Sequence, residues 1–224
     1  MTTVFQERSS CAICGNEKEF VKIYSTNSFG SPDLDTRPPE MMRSTMHAWV
    51  QQCPECGYCA SDVVKAPPEA KKIIEDEKYK SQLKDEKYPK LANLFICMSI
   101  IEEQASNCVN AMWALIHAAW VCDDSGHSNE AKTCRNRAVE MLLHAEKHDK
   151  KWAKQQGSIT AILVDLLRRS GRLEEAREAI AQRRAEISGK IIITILDFQS
   201  ALIKQGDVSC YTVSQAMKNK SEKK

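Results

Sequence analysis

From residue 68 onward the apolar positions fall at three- and four-residue steps. Leu91, Leu94, Phe95, Met98 and Ile101 make one stripe, and Trp113, Ile116, His117 and Trp120 the next. That spacing belongs to the buried face of a helix. Pro68 suits a first helical turn, which has no use for its missing N–H, and only Pro89 follows it, where it can open another helix. The pattern predicts helices over about 68–86, 90–105, 107–123, 128–147, 150–169, 172–187, 190–204 and 207–217. The first of these, rich in charge and poor in apolar anchors, reads as an exposed connecting helix. Ahead of residue 65 the periodicity changes. FVKIYS (20–25) alternates loosely and MHAWVQQ (46–52) is β-prone, so both are candidate strands of a small β unit.

These patterns predict an α+β chain, mostly α. A small zinc-ribbon-like unit with a Pro-rich insertion occupies 1–65, a helical domain 66–218, and a flexible basic tail 219–224. Within the helical part SGHSNEA (125–131) and SGRLEEA (170–176) share the frame S-G-x-x-x-E-A, in which a Gly ends one helix and a charged amphipathic helix begins. Gly206 follows another apolar helix, 35 residues after Gly171. The stretch 160–187 resembles a tetratricopeptide repeat, with Leu163, Val164 and Leu167 on its first helix and Ala176 and Ile180 at the small and large positions of its second. Two features depart from that family: Gly126 and Gly171 are 45 residues apart, and Tyr211 stands at the last small position. An irregular helical bundle is the alternative. Helical repeats of this kind bind peptides or protein surfaces, so the expected partner is a protein.

Composition narrows the picture. With 42% hydrophobic and 28% charged residues the chain can bury a core. A net charge of +2 demands neither nucleic acid nor an acidic membrane as partner. The opening MTTVFQERSS has no apolar core of a signal peptide, and no apolar run approaches a bilayer span. A cytoplasmic location is therefore expected, where ten cysteines mean metal ligands and buried thiols rather than disulfides.

The chemistry concentrates in CAICG (11–15) and CPECGYC (53–59). Two residues between cysteines let a tight turn aim both sulfurs at one ion, and the Gly after each pair permits positive φ. Cys11, Cys14, Cys53 and Cys56 thus predict one tetrahedral S4 site. It suits zinc, with iron as the competitor, and its role would be structural because no coordination position stays open. A redox CxxC would need a strand-to-helix step in a βαβ pattern, which this region lacks. Cys59 is surplus and is expected to pack beside the site. Cys97, Cys108, Cys122 and Cys134, scattered on helices, read as buried hydrophobes.

CAICG, the Asp-x-Asp loop and CPECGYCASD together resemble an uncharacterised bacterial family known only as a domain of unknown function. Its members pair a CPxCG knuckle with a later CPxCGYA knuckle and continue into helical, often tetratricopeptide-like, sequence. The resemblance implies that the four cysteines are metal ligands and implies no activity. This chain departs from it at Cys59, where the family often has Ala.

Between the knuckles, SPDLDTRPPEMMRS holds Asp33, Asp35, Arg37, Glu40 and Arg43 in a Pro-stiffened loop. Asp33, Asp35, Arg37 and Arg43 are either a ligand or partner site or an internal Asp–Arg network bracing the insertion. His144 and His148 share a helix face, but HAEKH is not HExxH and reads as solvated. His117, between Trp113 and Trp120, reads as a core histidine. No catalytic constellation appears, so the expected function is a non-enzymatic zinc-binding scaffold for a protein partner. The alternatives are a nucleic-acid-binding zinc module and a thiol-based redox or metal sensor reacting through Cys59.

Overall fold

The computed structural model describes residues 2–149, 152 and 155–221. It is mostly helical, with a small β part at the N-terminal end. Strands β1 (Thr3–Ser10) and β2 (Glu17–Ser25) pair antiparallel, Ser10 facing Glu17 and Phe5 facing Lys22. The two-residue strands β3 (Gln51–Gln52) and β4 (Cys59–Ala60) form a second hairpin. Each CxxC pair is the turn of one hairpin. β2 extends the predicted FVKIYS strand, whereas β1 has no counterpart among the sequence expectations. Seven of its eight residues are exposed, so it carries no in–out alternation to read. Of the predicted strand MHAWVQQ only Gln51–Gln52 is strand; Met46–Ala48 instead close a 3-10 turn, Arg43–Ala48. There the Trp49 indole donates to Thr45 Oγ1 at 2.9 Å, and Thr45 and Met46 are buried.

The helices are α1 (Ala70–Glu75), α2 (Glu77–Leu83), α3 (Lys90–Gln104), α4 (Cys108–Asp124), α5 (Ser128–His148), α6 (Gln156–Arg169), α7 (Leu173–Arg183), α8 (Lys190–Lys204) and α9 (Val213–Ser221). The charged stretch 68–86 is thus two short helices, not one exposed connector. Asp76 breaks the run with extended backbone and caps α2, accepting from the Lys78 N–H at 2.8 Å. Ala70, Ile73, Ile74 and Tyr79 give this stretch a buried side. Two of the predicted segments lie partly outside the described residues: 150–169 at positions 150, 151, 153 and 154, and the tail 219–224 at positions 222–224. Residues 219–221 close α9. The stretch 207–217 also differs, because 207–212 is not helical.

Contacts divide the chain elsewhere than at residue 65. One compact unit is Met1–Ser28 with Glu40–Cys134, the other Phe29–Pro39 with Arg135–Lys224. In the first, α3 packs on α4 through a core that includes Phe95, Ile96, Ile101, Met112, Leu115 and Ile116, each at most 2% exposed. In the second, α6, α7 and α8 pack on one another and the Pro-rich loop joins them. Among the described residues no helix is long and apolar enough to cross a membrane.

Candidate metal centre

The two hairpin turns are built alike. In the first, the Cys11 N–H donates to the Asn16 carbonyl at 2.9 Å and the Gly15 N–H to the Cys11 carbonyl at 2.8 Å. In the second, Cys53 N–H reaches the Tyr58 carbonyl at 2.8 Å and Gly57 N–H the Cys53 carbonyl at 3.0 Å. Gly15 and Gly57 take φ of 73° and 76°, the left-handed backbone that this turn needs just after its second cysteine.

The result is one cluster. The Sγ atoms of Cys11, Cys14, Cys53 and Cys56 all lie within 4.8 Å of one another, and they form a group that could hold a metal ion. Across the turns Cys11 and Cys56 are 3.7 Å apart and Cys14 and Cys53 3.6 Å. A tetrahedron of sulfurs around an ion at about 2.3 Å has edges of about 3.8 Å, so the four thiols fit such a centre. All ten cysteines are free thiols. The Ile13 N–H points at Cys11 Sγ at 3.4 Å. The Asn16 backbone amide lowers the Cys14 thiol, while burial raises those of Cys53 and Cys56. Protons on such thiols are displaced when a metal binds.

The surroundings brace the second knuckle more than the first. Tyr79, 1% exposed on α2, accepts from the Cys59 N–H at 3.1 Å and donates to the Gly57 carbonyl at 2.9 Å. A Cβ on Gly57 would stand 2.9 Å from Leu83 Cδ2, so α2 lies directly against the turn. The Tyr58 hydroxyl donates to the Lys65 carbonyl at 2.7 Å, and burial first, then Glu102, pushes it up to about 12. The Ala12 N–H donates to the Val63 carbonyl at 2.9 Å, tying the first knuckle to the chain that leaves the second. Cys59 is fully buried next to the four sulfurs' hairpin, with its thiol 3.4 Å from the Gly57 carbonyl, and it is not one of the four. Sequence reasoning missed Tyr79. Its signal was present: a lone aromatic ring in an otherwise charged helical stretch.

The loop residues separate. Arg43 begins the 3-10 turn of the first unit and is partly exposed. Asp33, Asp35 and Arg37 belong to the second unit and are all buried. A tight turn holds them, with Thr36 N–H on the Asp33 carbonyl and Asp33 N–H on the Arg37 carbonyl, both at 2.9 Å. Asp35 Oδ2 receives a bond of 2.9 Å from Arg169 on α6, whose side chain is 7% exposed while that of Asp35 is fully buried. The backbone is pinned too: Leu34 N–H reaches the Tyr211 carbonyl and Val213 N–H the Pro32 carbonyl, both at 2.9 Å. This pairing, with the Asp33–Thr212 bridge, holds the chain just ahead of α9 outside a helix.

Behind Arg169 lies a second buried pair. Arg168 donates to Asp165 Oδ1 at 2.8 Å and to the Asp207 and Ser209 carbonyls at 2.7 and 2.8 Å. Gln199 donates to the Ala161 carbonyl at 3.0 Å. Burial raises the Asp165 carboxyl, and Arg168 opposes that shift. Asp35 therefore faces an arginine of its own chain, 134 residues away. His117 sits among Trp49, Phe95, Trp113 and Trp120, with ring centroids between 5.0 and 6.3 Å from its own. Set against family models, curated proteins and solved structures, the chain matches none of them.

Proposed function

We propose that the chain is a non-enzymatic, zinc-binding protein-interaction scaffold, in which one structural S4 zinc braces a tetratricopeptide-like helical region that engages a protein partner. The observation that carries the metal half is the sulfur cluster: two turns built alike bring four thiols within 4.8 Å of one another, a ligand set that would leave no position for substrate or water. A closed centre of this kind contributes folding energy rather than catalysis.

Support for the repeat half is the recurrence of one helix stop. At Gly126, Gly171 and Gly206 the residue after the Gly donates to the carbonyl five positions back, at 2.9, 2.9 and 3.0 Å. In the second unit a groove of about 150 Å³ opens beside Val139, Leu143, Leu163 and Leu167, rimmed by Arg172 and Glu178. A lining that mixes aliphatic and charged side chains offers contacts to both apolar and polar groups of a protein segment. The sensor alternative loses ground because Cys59 is enclosed.

Elemental analysis of the purified chain tests the metal. One zinc per chain is expected, absent in Cys56→Ser and retained in Cys59→Ala. Iron in its place, or zinc retained by Cys56→Ser, overturns the assignment. The partner half is tested by crosslinking and mass spectrometry with the Leu143→Asp variant. A partner lost from that variant, yet kept by Phe5→Asp on the β1–β2 hairpin, supports the groove. Equal recovery by both removes it.

A further inference from the structure

The sequence HAEKH (144–148) has no part in the thiolate centre or in the groove. On α5, His144 and His148 are one turn apart, and their rings face each other with centroids 4.4 Å apart and 36° between planes. Both residues are exposed. Neither imidazole has a hydrogen bond or ion pair among the described residues, so their ring nitrogens are available to a ligand from outside. The i, i+4 spacing places them as direct neighbours on the helix surface. An ion with metal–nitrogen bonds of about 2.0–2.1 Å reaches both rings with small side-chain rotations. The pair also occupies the end of α5, where the last carbonyls carry partial negative charge and favour a cation. Glu140, exposed one turn earlier on the same stripe, adds a negative charge, as does Asp149 just beyond; Lys147 opposes them.

We propose that His144 and His148 form a second, exposed metal site for a divalent transition ion of the nickel, copper and zinc group. Neutral imidazole nitrogen selects these ions over magnesium and calcium. No third Cys, His, Asp or Glu ligand converges on the pair among the described residues. The remaining coordination positions belong to water or to a ligand from solution, so the ion exchanges readily, unlike one enclosed by four thiolates. The site binds without being a peptidase centre. Glu146, the acidic residue between the two histidines, is held by two bonds from Arg183, at 2.6 and 3.0 Å. It is not free to take a proton from metal-bound water.

The test is a calorimetric titration of the tag-free, zinc-loaded chain with nickel chloride, with zinc content measured before and after. One Ni²⁺ per chain is expected beyond the retained zinc. His144→Gln and His148→Gln should each weaken binding about tenfold or more, and the double variant should abolish it. His47→Gln, at an exposed histidine elsewhere, should titrate like the parent. Because all three positions are exposed, the variants should melt like the parent in the absence of nickel. A flat parent isotherm, or single variants that titrate as the parent does, overturns the site.

Discussion

Asp35 shows how far a charge in a loop can be from the residue that explains it. Its carboxylate is fully buried, and its ion-pair partner Arg169 comes from α6. A buried pair is costly to assemble, and removing one member takes from the other the charge that offsets its desolvation. Asp35→Ala is therefore expected to destabilise the chain by about 3–5 kcal/mol, read from urea unfolding. Asp35→Leu combined with Arg169→Met should recover most of that loss, since an apolar pair of similar volume is often neutral. A single variant as stable as the parent would mean that the pair carries no weight. Tyr79 poses a smaller version of the question. Its hydroxyl serves the Cys59 amide and the Gly57 carbonyl together, so Tyr79→Phe leaves two buried backbone groups short of a partner. A loss of about 1–3 kcal/mol is expected, with the metal content the same as the parent's, because none of the four clustered cysteines is touched.

Among the elements, the helix stops are the clearest recurring device, and one of them escapes a glycine search. Between α3 and α4, Ser106 takes φ 62° and makes the same pair of bonds as the three glycines: its own N–H to the Glu103 carbonyl at 3.0 Å, and Asn107 N–H to that of Glu102 at 2.8 Å. A side chain in left-handed backbone costs about 1 kcal/mol that glycine does not. Ser106→Gly is expected to raise stability by roughly that amount, seen as a higher thermal midpoint with unchanged helical signal. An unchanged or lower midpoint would count against the strain.

The same element shows what a sequence discloses. The stops at Gly126, Gly171 and Gly206 and the stripes of α3 and α4 were legible because a local rule fixes them. So were the cysteine pairs, whose spacing is itself the geometry. β1 was not legible, since a hairpin strand that is exposed along nearly its whole length has no periodicity. Nor was the helix break at Asp76, where one capping carboxylate interrupts an otherwise continuous charged run. The buried site of Asp35 lay beyond any local rule, because a partner 134 residues away leaves no trace in spacing.

Taken whole, the chain leaves its first compact unit after Ser28, returns at Glu40, and leaves again after Cys134. The first excursion begins after Cys11 and Cys14 and ends before Cys53 and Cys56. The four-cysteine cluster therefore joins two parts of the first unit between which the chain lends Phe29–Pro39 to the second. Apart from a metal, those parts are joined by the Ala12 N–H bond to the Val63 carbonyl, the Lys22–Asp62 ion pair at 3.9 Å and the packing of β2 on the 3-10 turn, while each knuckle rests on a short hairpin of its own. Isolated hairpins are marginal in water, and exposed ion pairs add about 0–1 kcal/mol each. The helices of the second unit rest on different interactions: the apolar core of α6, with Leu163, Val164 and Leu166 buried, and the Asp165–Arg168 pair. Stripping the proposed metal with a chelator should therefore remove amide-exchange protection from Thr3–Ser25 and Gln51–Ala60 while α6–α8 remain protected. The far-ultraviolet helical signal should fall only slightly, and adding zinc back should restore the lost protection. If chelation instead releases α6–α8 together with the hairpins, the metal holds one cooperative body rather than the hairpin region alone.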